Sequence, residues 1–182
     1  MTDPVLIERT RALFLRDDNT YGCAETALVA LQEHWGLPDA GDSSAAMALN
    51  GGVAYSGGTC GAITGAAMAV GKLAELRCPN HRQAKRVARA IVQRLMAGFQ
   101  AAHGATDCRD LTGYDMTTDH VAFIKSGIWR DVCMRQLEYA VDHLGSLGDP
   151  GVWDAEVRSI LRLDTRGRAS QQPTADSPQP EA

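Results

Sequence analysis

The sequence contains no C-x-x-C pair and no long hydrophobic run. Without C-x-x-C, neither a thioredoxin-type redox motif, a zinc ribbon nor a covalent haem site is indicated. The longest weakly polar stretch, residues 62–71, is shorter than the about 18 apolar residues that a membrane span needs. Glu8, Arg9, Arg11 and Arg16 interrupt the apolar pattern near the first residue, which indicates an amphipathic helix rather than a signal core. We therefore expect a cytoplasmic protein that does not bind membranes.

Aromatic residues are also scarce, and acidic residues outnumber basic ones. Aromatics make up 5% of the 182 residues, and the net charge is −4 with histidine neutral. Nucleic-acid binders usually carry a basic patch, so we expect no nucleic-acid partner. The glycine-rich segment lacks the G-x-x-x-x-G-K-[ST] pattern of a phosphate-binding loop, which argues against a nucleoside triphosphatase of that class. Strands favour aromatic and β-branched residues, whereas the alanine and leucine that recur here favour helices.

Apolar residues recur at intervals of three and four, which predicts an all-α fold. We expect a compact multi-helix bundle in which a glycine-rich loop, residues 51–61, precedes a central helix. Residues 1–164 form one domain in this interpretation. From residue 165 the chain is rich in Pro, Ser and Gln and has few large apolar residues, which predicts a disordered C-terminal tail. Helices are predicted over residues 4–15, 22–35, 44–49, 62–77, 81–102, 128–144 and 152–163, and short capped turns over residues 106–113 and 119–125.

The predicted central helix, residues 62–77, is rich in small side chains. Ala62, Gly65, Ala66 and Ala69 recur along it, and such positions let another helix approach closely. A homodimer formed through this helix is therefore one possible assembly.

Five cysteines are present, and four of them are candidates for chemistry. Cys23, Cys60 and Cys108 each follow a glycine or a capping residue at a predicted helix start, where unpaired N–H groups favour a thiolate. Cys133 is predicted to lie inside a helix. Cys78 precedes Pro79 and receives no role. In a reducing compartment, metal binding or redox chemistry is more common for such residues than structural disulfides.

The cysteines and their flanks resemble a known family. Gly22-Cys23-Ala24-Glu25, the block from Ser56 to Gly71 with its Cys-Gly-Ala-x-x-Gly core, Cys108-Arg109-Asp110-Leu111-Thr112-Gly113 and Cys133 are similar to the C_GCAxxG_C_C family, which takes its name from its cysteine pattern and is described as redox-active. A related domain occurs in split-Soret cytochrome c, where an iron–sulfur centre has been proposed. The family often has Glu before the Thr-Cys pair, whereas this chain has Gly58.

The resemblance implies that Cys23, Cys60, Cys108 and Cys133 bind the metal of an iron–sulfur cluster, either [2Fe–2S] or [4Fe–4S]. The protein would then transfer electrons to or from a redox partner protein. Two alternatives stay open: a thiol–disulfide oxidoreductase that uses two of the cysteines, and a helical accessory subunit with a structural zinc. The sequence assigns no catalytic residue and does not decide whether the protein is an enzyme.

Overall fold

The computed structural model describes residues 3–16, 18 and 20–169, with side chains as far as residue 162. Within these residues the chain is all-α, as predicted, and has no β-strand. The eight α-helices of the described part are α1 (Pro4–Phe14), α2 (Cys23–His34), α3 (Gly61–Arg77), α4 (His81–His103), α5 (Cys108–Thr112), α6 (His120–Ser126), α7 (Val132–Gly145) and α8 (Pro150–Ala169). Short 3-10 turns cover Ser44–Leu49, Ile128–Arg130 and Ser146–Gly148.

Helix α1 begins where its sequence predicts. Asp3 caps it, because its carboxylate accepts hydrogen bonds from the backbone N–H groups of Val5 and Leu6 at 2.9 and 3.2 Å. Pro4 occupies the first helical position, where a missing N–H costs nothing.

Helix α2 lies at the centre of the bundle. Every residue from 24 to 32 is buried, and the helix packs against α1, α3 and α7. A helix that is apolar on all faces is stable only when neighbours surround it. Its first residue, Cys23, is thereby fixed in position by three other helices.

Helix α3 approaches α2 through its glycines. A Cβ atom at Gly65 would overlap the backbone of Ala24, with the Ala24 carbonyl carbon at 2.8 Å and its Cα at 2.9 Å. A Cβ at Gly61 would overlap the sulfur of Cys23. The glycines of the Cys-Gly-Ala-x-x-Gly block therefore bring the starts of α2 and α3 together.

The small residues of α3 pack against other helices of the same chain. Ala62, Ala66 and Ala69 are completely buried, and α2 is the main neighbour of their helix. They do not provide the exposed face on which the homodimer prediction was based, and the homodimer itself stays a prediction. No helix in the described part of the chain is long and apolar enough to cross a membrane.

Two predicted helix boundaries differ from the structure by more than two residues. The helix predicted over residues 128–144 is a 3-10 turn followed by α7, which starts only at Val132. Helix α8 continues to Ala169, so residues 165–169 of the predicted disordered tail are helical. The rest of that predicted tail, residues 170–182, lies outside the described residues.

Candidate functional site

All four candidate cysteines lie at helix starts. Cys23 is the first residue of α2, Cys60 is the N-cap of α3, and Cys108 is the first residue of α5. Cys133 lies inside a helix, as predicted, but it is the second residue of α7, because that helix starts later than the predicted one. The break at Asp131, where the 3-10 turn ends, moves Cys133 into a first turn.

A short antiparallel contact fixes Cys60 beside Cys108. Thr59 pairs with Asp107, and the two cysteines flank this pair. The Cys60 N–H donates to the Thr106 carbonyl at 2.8 Å, and the Cys108 N–H donates to the Gly58 carbonyl at 2.7 Å. The glycine loop therefore holds two cysteines that are 48 positions apart in the chain.

The four thiols are close enough to interact electrostatically. Cys23, Cys108 and Cys133 each raise the pKa of Cys60. Cys23 and Cys108 likewise raise the pKa of Cys133, and Cys23 raises that of Cys108. Every pair among the four is thus coupled, which requires that their sulfurs share one region of the molecule. Cys78 lies at the end of α3 and is not among the coupled thiols.

Burial is the main influence on these thiols. It raises the pKa of Cys108 to about 11, with the charge of Cys23 as the next contribution. Burial also raises the pKa of Cys133 and of Cys60, and Cys60 is only 4% exposed. The thiols therefore carry their protons at neutral pH when no metal is bound to them.

Cys23 receives more backbone hydrogen bonds than Cys60, which has one from Ala62. Burial raises the pKa of Cys23 as well, but the N–H groups of Gly51, Ala24 and Gly61 act against that rise by hydrogen bonding to the sulfur. These donors come from the glycine loop and from the first turns of α2 and α3. Such a set of N–H groups suits a thiolate that is bound to a metal.

The cysteines adjoin an apolar pocket with a cavity of about 90 Å³. Cys23, Cys108 and Cys133 line it, while Cys60 is buried against Gln136, whose side-chain oxygen lies 3.5 Å from the Cys60 sulfur. Aromatic and aliphatic side chains form most of the wall: Phe14, Tyr55, Met116, Phe123, Ile124 and Trp129. Tyr55 and His120 meet edge to face at the pocket, with ring centroids 5.0 Å apart.

A left-handed turn forms one side of this pocket. Five consecutive residues, 51–55, have positive φ angles between 50° and 77°. Two are glycines, but Val53, Ala54 and Tyr55 are not, and side chains disfavour this conformation. Hydrogen bonds hold the turn, among them Ala54 N–H to the Ala48 carbonyl at 2.7 Å and Gly57 N–H to the Gly51 carbonyl at 3.0 Å. The strained backbone lies where it presents Gly51 to Cys23.

We expect Val53→Gly to raise the stability of the protein. Val53 has a φ of 63° and is 45% exposed, so glycine relieves about 1 kcal/mol of backbone strain and removes little packing. Thermal denaturation of the purified variant measures the gain. Val121→Gly, at an exposed position of α6 with ordinary helical geometry, is the matched control and should lower stability. Equal losses in the two variants would show that the turn is unstrained.

A polar network lies behind Cys23. Asn50 accepts a hydrogen bond from the Ala24 N–H at 2.9 Å, and its side-chain oxygen is 3.9 Å from the Cys23 sulfur. Its amide nitrogen donates to Glu25 at 2.9 Å. Glu25 also accepts from the Gly22 N–H at 3.0 Å and from the Ser43 hydroxyl at 3.2 Å. A buried polar network that is fully bonded fixes its members in place.

Sequence reasoning missed Asn50, Gln136, His120 and Trp129 as parts of this site. A resemblance or a helix period does not reveal them, because they reach the cysteines only through tertiary packing. Asn50 had one local signal, since it directly precedes the two glycines of the loop.

The described residues contain no group of three or more His, Cys, Asp or Glu arranged to hold a single metal ion. This finding supports neither the structural zinc alternative nor an iron–sulfur centre.

One family model matches the chain over residues 21–146, and its description is "Putative redox-active protein (C_GCAxxG_C_C)". The match spans well over half of the sequence and contains all four candidate cysteines. It confirms the resemblance that the cysteine pattern indicated. The searches of curated proteins and of solved structures found no match.

Proposed function

Because the chain belongs to the C_GCAxxG_C_C family, we propose that it is an electron-transfer protein whose four cysteines bind an iron–sulfur cluster. The observation that carries the proposal is the convergence of four helix starts. Cys23, Cys108 and Cys133 line one apolar pocket, and the buried Cys60 is electrostatically coupled to all three. The membership supports a redox role, and the cluster is our inference from the donor set.

The chemistry of the donor set fits a cluster. Four thiolates are the usual ligands of [2Fe–2S] and [4Fe–4S] centres. A cluster keeps its thiolates farther apart than one zinc ion does, because iron and sulfide lie between them. Such a group would supply reversible one-electron transfer.

The chain's own residues would prepare and protect this centre. The N–H groups of Gly51, Ala24 and Gly61 face the Cys23 sulfur and would offset its negative charge. Phe14, Trp129 and the other apolar side chains of the pocket would limit the access of water. Exclusion of water and hydrogen bonds to sulfur are the main means by which a protein sets the potential of such a centre.

The raised thiol pKa values favour this proposal over thiol–disulfide exchange. Exchange needs a thiolate at neutral pH, whereas burial keeps Cys60, Cys108 and Cys133 protonated. Metal binding removes this obstacle, because a coordinated thiol loses its proton. Buried, protonated thiols are therefore better suited to be ligands than nucleophiles.

Anaerobic purification from iron-replete cells tests the proposal. We expect broad visible absorption, and iron together with acid-labile sulfide in the purified protein. Colourless, iron-free protein from the same preparation would refute it. Zinc without iron would select the structural zinc alternative. Loss of two titratable thiols on mild oxidation, restored by a reductant, would select the thiol–disulfide alternative.

A further inference from the structure

Glu25 is the one charged side chain among the buried residues of the described part of the chain, and it is 8% exposed. It lies in the first turn of α2, two residues after Cys23. A charge is rarely buried without a partner of opposite charge, because its transfer from water is costly. Its position beside the cysteine site therefore calls for an explanation.

Neutral donors hold the Glu25 carboxylate. One of its oxygens accepts from the Gly22 N–H and the Asn50 amide, at 3.0 and 2.9 Å, and the other accepts from the Ser43 hydroxyl at 3.2 Å. Hydrogen bonds accepted by both oxygens are the pattern of an ionised carboxylate. These donors stabilise the charge without cancelling it.

Capping of α2 accounts for only part of this arrangement. A Glu at the third helical position commonly accepts from the backbone N–H of the cap residue, which here is Gly22. The bonds from Ser43 and Asn50 are not part of a cap. Asn50 lines the cysteine pocket and reaches both Glu25 and the neighbourhood of the Cys23 sulfur. The carboxylate is thus separated from that sulfur by one amide group.

We propose that Glu25 lowers the reduction potential of the redox centre at the four cysteines. This inference rests on the proposed function. A fixed negative charge at a site of low dielectric opposes the arrival of an electron from the redox partner protein. No bond forms or breaks in the step, and only the charge of the centre changes by one. Glu25 does not touch the centre and acts on it only through the electric field of its charge, so it is not a catalytic residue.

Glu25→Gln tests the inference, because it removes the charge and keeps the shape. The glutamine oxygen accepts from Gly22 and Asn50, and its amide nitrogen donates to the Ser43 oxygen once that hydroxyl rotates. We expect the reduction equilibrium to change by about tenfold in favour of the reduced form, which corresponds to a midpoint potential about 59 mV more positive for one electron. The measurement is a spectroelectrochemical titration of the anaerobically purified full chain.

Glu33→Gln is the matched control. It removes the same charge from the same helix, but Glu33 pairs with Arg9 near the surface and lies about 12 Å farther along α2. Water and salt screen the charge of Glu33, so the midpoint potential of the Glu33→Gln variant should equal that of the unmodified chain. Equal shifts in the two variants would overturn the inference, because net charge alone would then explain them.

Two further outcomes separate the inference from the proposed function. A Glu25→Gln chain that holds its centre at an unchanged potential would overturn the inference alone. An unmodified chain without any redox-active centre would overturn the proposed function, and the inference with it.

If Glu25→Gln fails to hold the centre, Ser43→Ala replaces it as the test. Loss of that donor leaves more of the carboxylate charge uncompensated, so the potential should become more negative, and an unchanged or more positive value would contradict the inference.

Discussion

Gly65→Ala is expected to lower the free energy of unfolding by about 3 kcal/mol. The added methyl group would overlap backbone atoms of Ala24, including its carbonyl carbon at 2.8 Å. A flexible side chain can rotate away from such a clash, but the backbone of a buried helix cannot. Helices α2 and α3 would have to separate, and Cys23 would move away from Cys60. Urea denaturation, followed by circular dichroism, measures the loss.

Gly71→Ala is the control for this prediction. Gly71 lies in the same helix, and a Cβ atom there would meet no atom within 4 Å. Alanine is the better helix former, so this variant should gain about 0.5–1 kcal/mol. If both variants had the same stability, the close contact between α2 and α3 would not exist in solution.

Cys60→Ser is expected to reduce the iron and acid-labile sulfide of the anaerobically purified protein to background. Cys60 is coupled to all three other site cysteines, and a serine hydroxyl is a poor replacement for a soft thiolate ligand. The fold should tolerate the change, because the hydroxyl can still donate to Gln136, which the Cys60 sulfur contacts at 3.5 Å. Circular dichroism of the same sample separates loss of the cluster from loss of the fold.

Cys78→Ser provides the comparison. Cys78 ends α3 and does not interact electrostatically with the other four cysteines. The iron content of this variant should match that of the unmodified chain. If Cys60→Ser kept its full iron content, or if Cys78→Ser lost its iron, the assignment of the four ligands would have to be abandoned.

The sequence predicted the positions of three site cysteines because their signals are local. Gly22, Thr59 and Asp107 are residues that favour a cap or a break, and each directly precedes a cysteine. Cys133 was correctly placed inside a helix, but the start of that helix was predicted too early, because the apolar Ile128 hides the break at Asp131. A helix period indicates which face is buried, but it does not show where a 3-10 turn replaces an α-helix.

The interactions between distant segments could not be predicted. Five glycines indicated an irregular backbone over residues 51–61, but Val53 and Tyr55 are residue types that normally avoid a left-handed conformation. Their geometry depends on hydrogen bonds to residues 48–50 and on packing around the pocket. The pairing of Thr59 with Asp107 likewise depends on how α3 and α4 fold back on each other.

The pairing of Thr59 with Asp107 also has a consequence for biosynthesis. The contact closes a segment that contains the whole of α3 and α4, and the fourth sulfur emerges from the ribosome only with residue 133. A growing chain can therefore present at most three of the four sulfurs until most of the bundle has been translated. The proposed four-thiolate site would therefore be complete only after α3 and α4 have been made, and Tyr55 and His120 would be part of the wall around it.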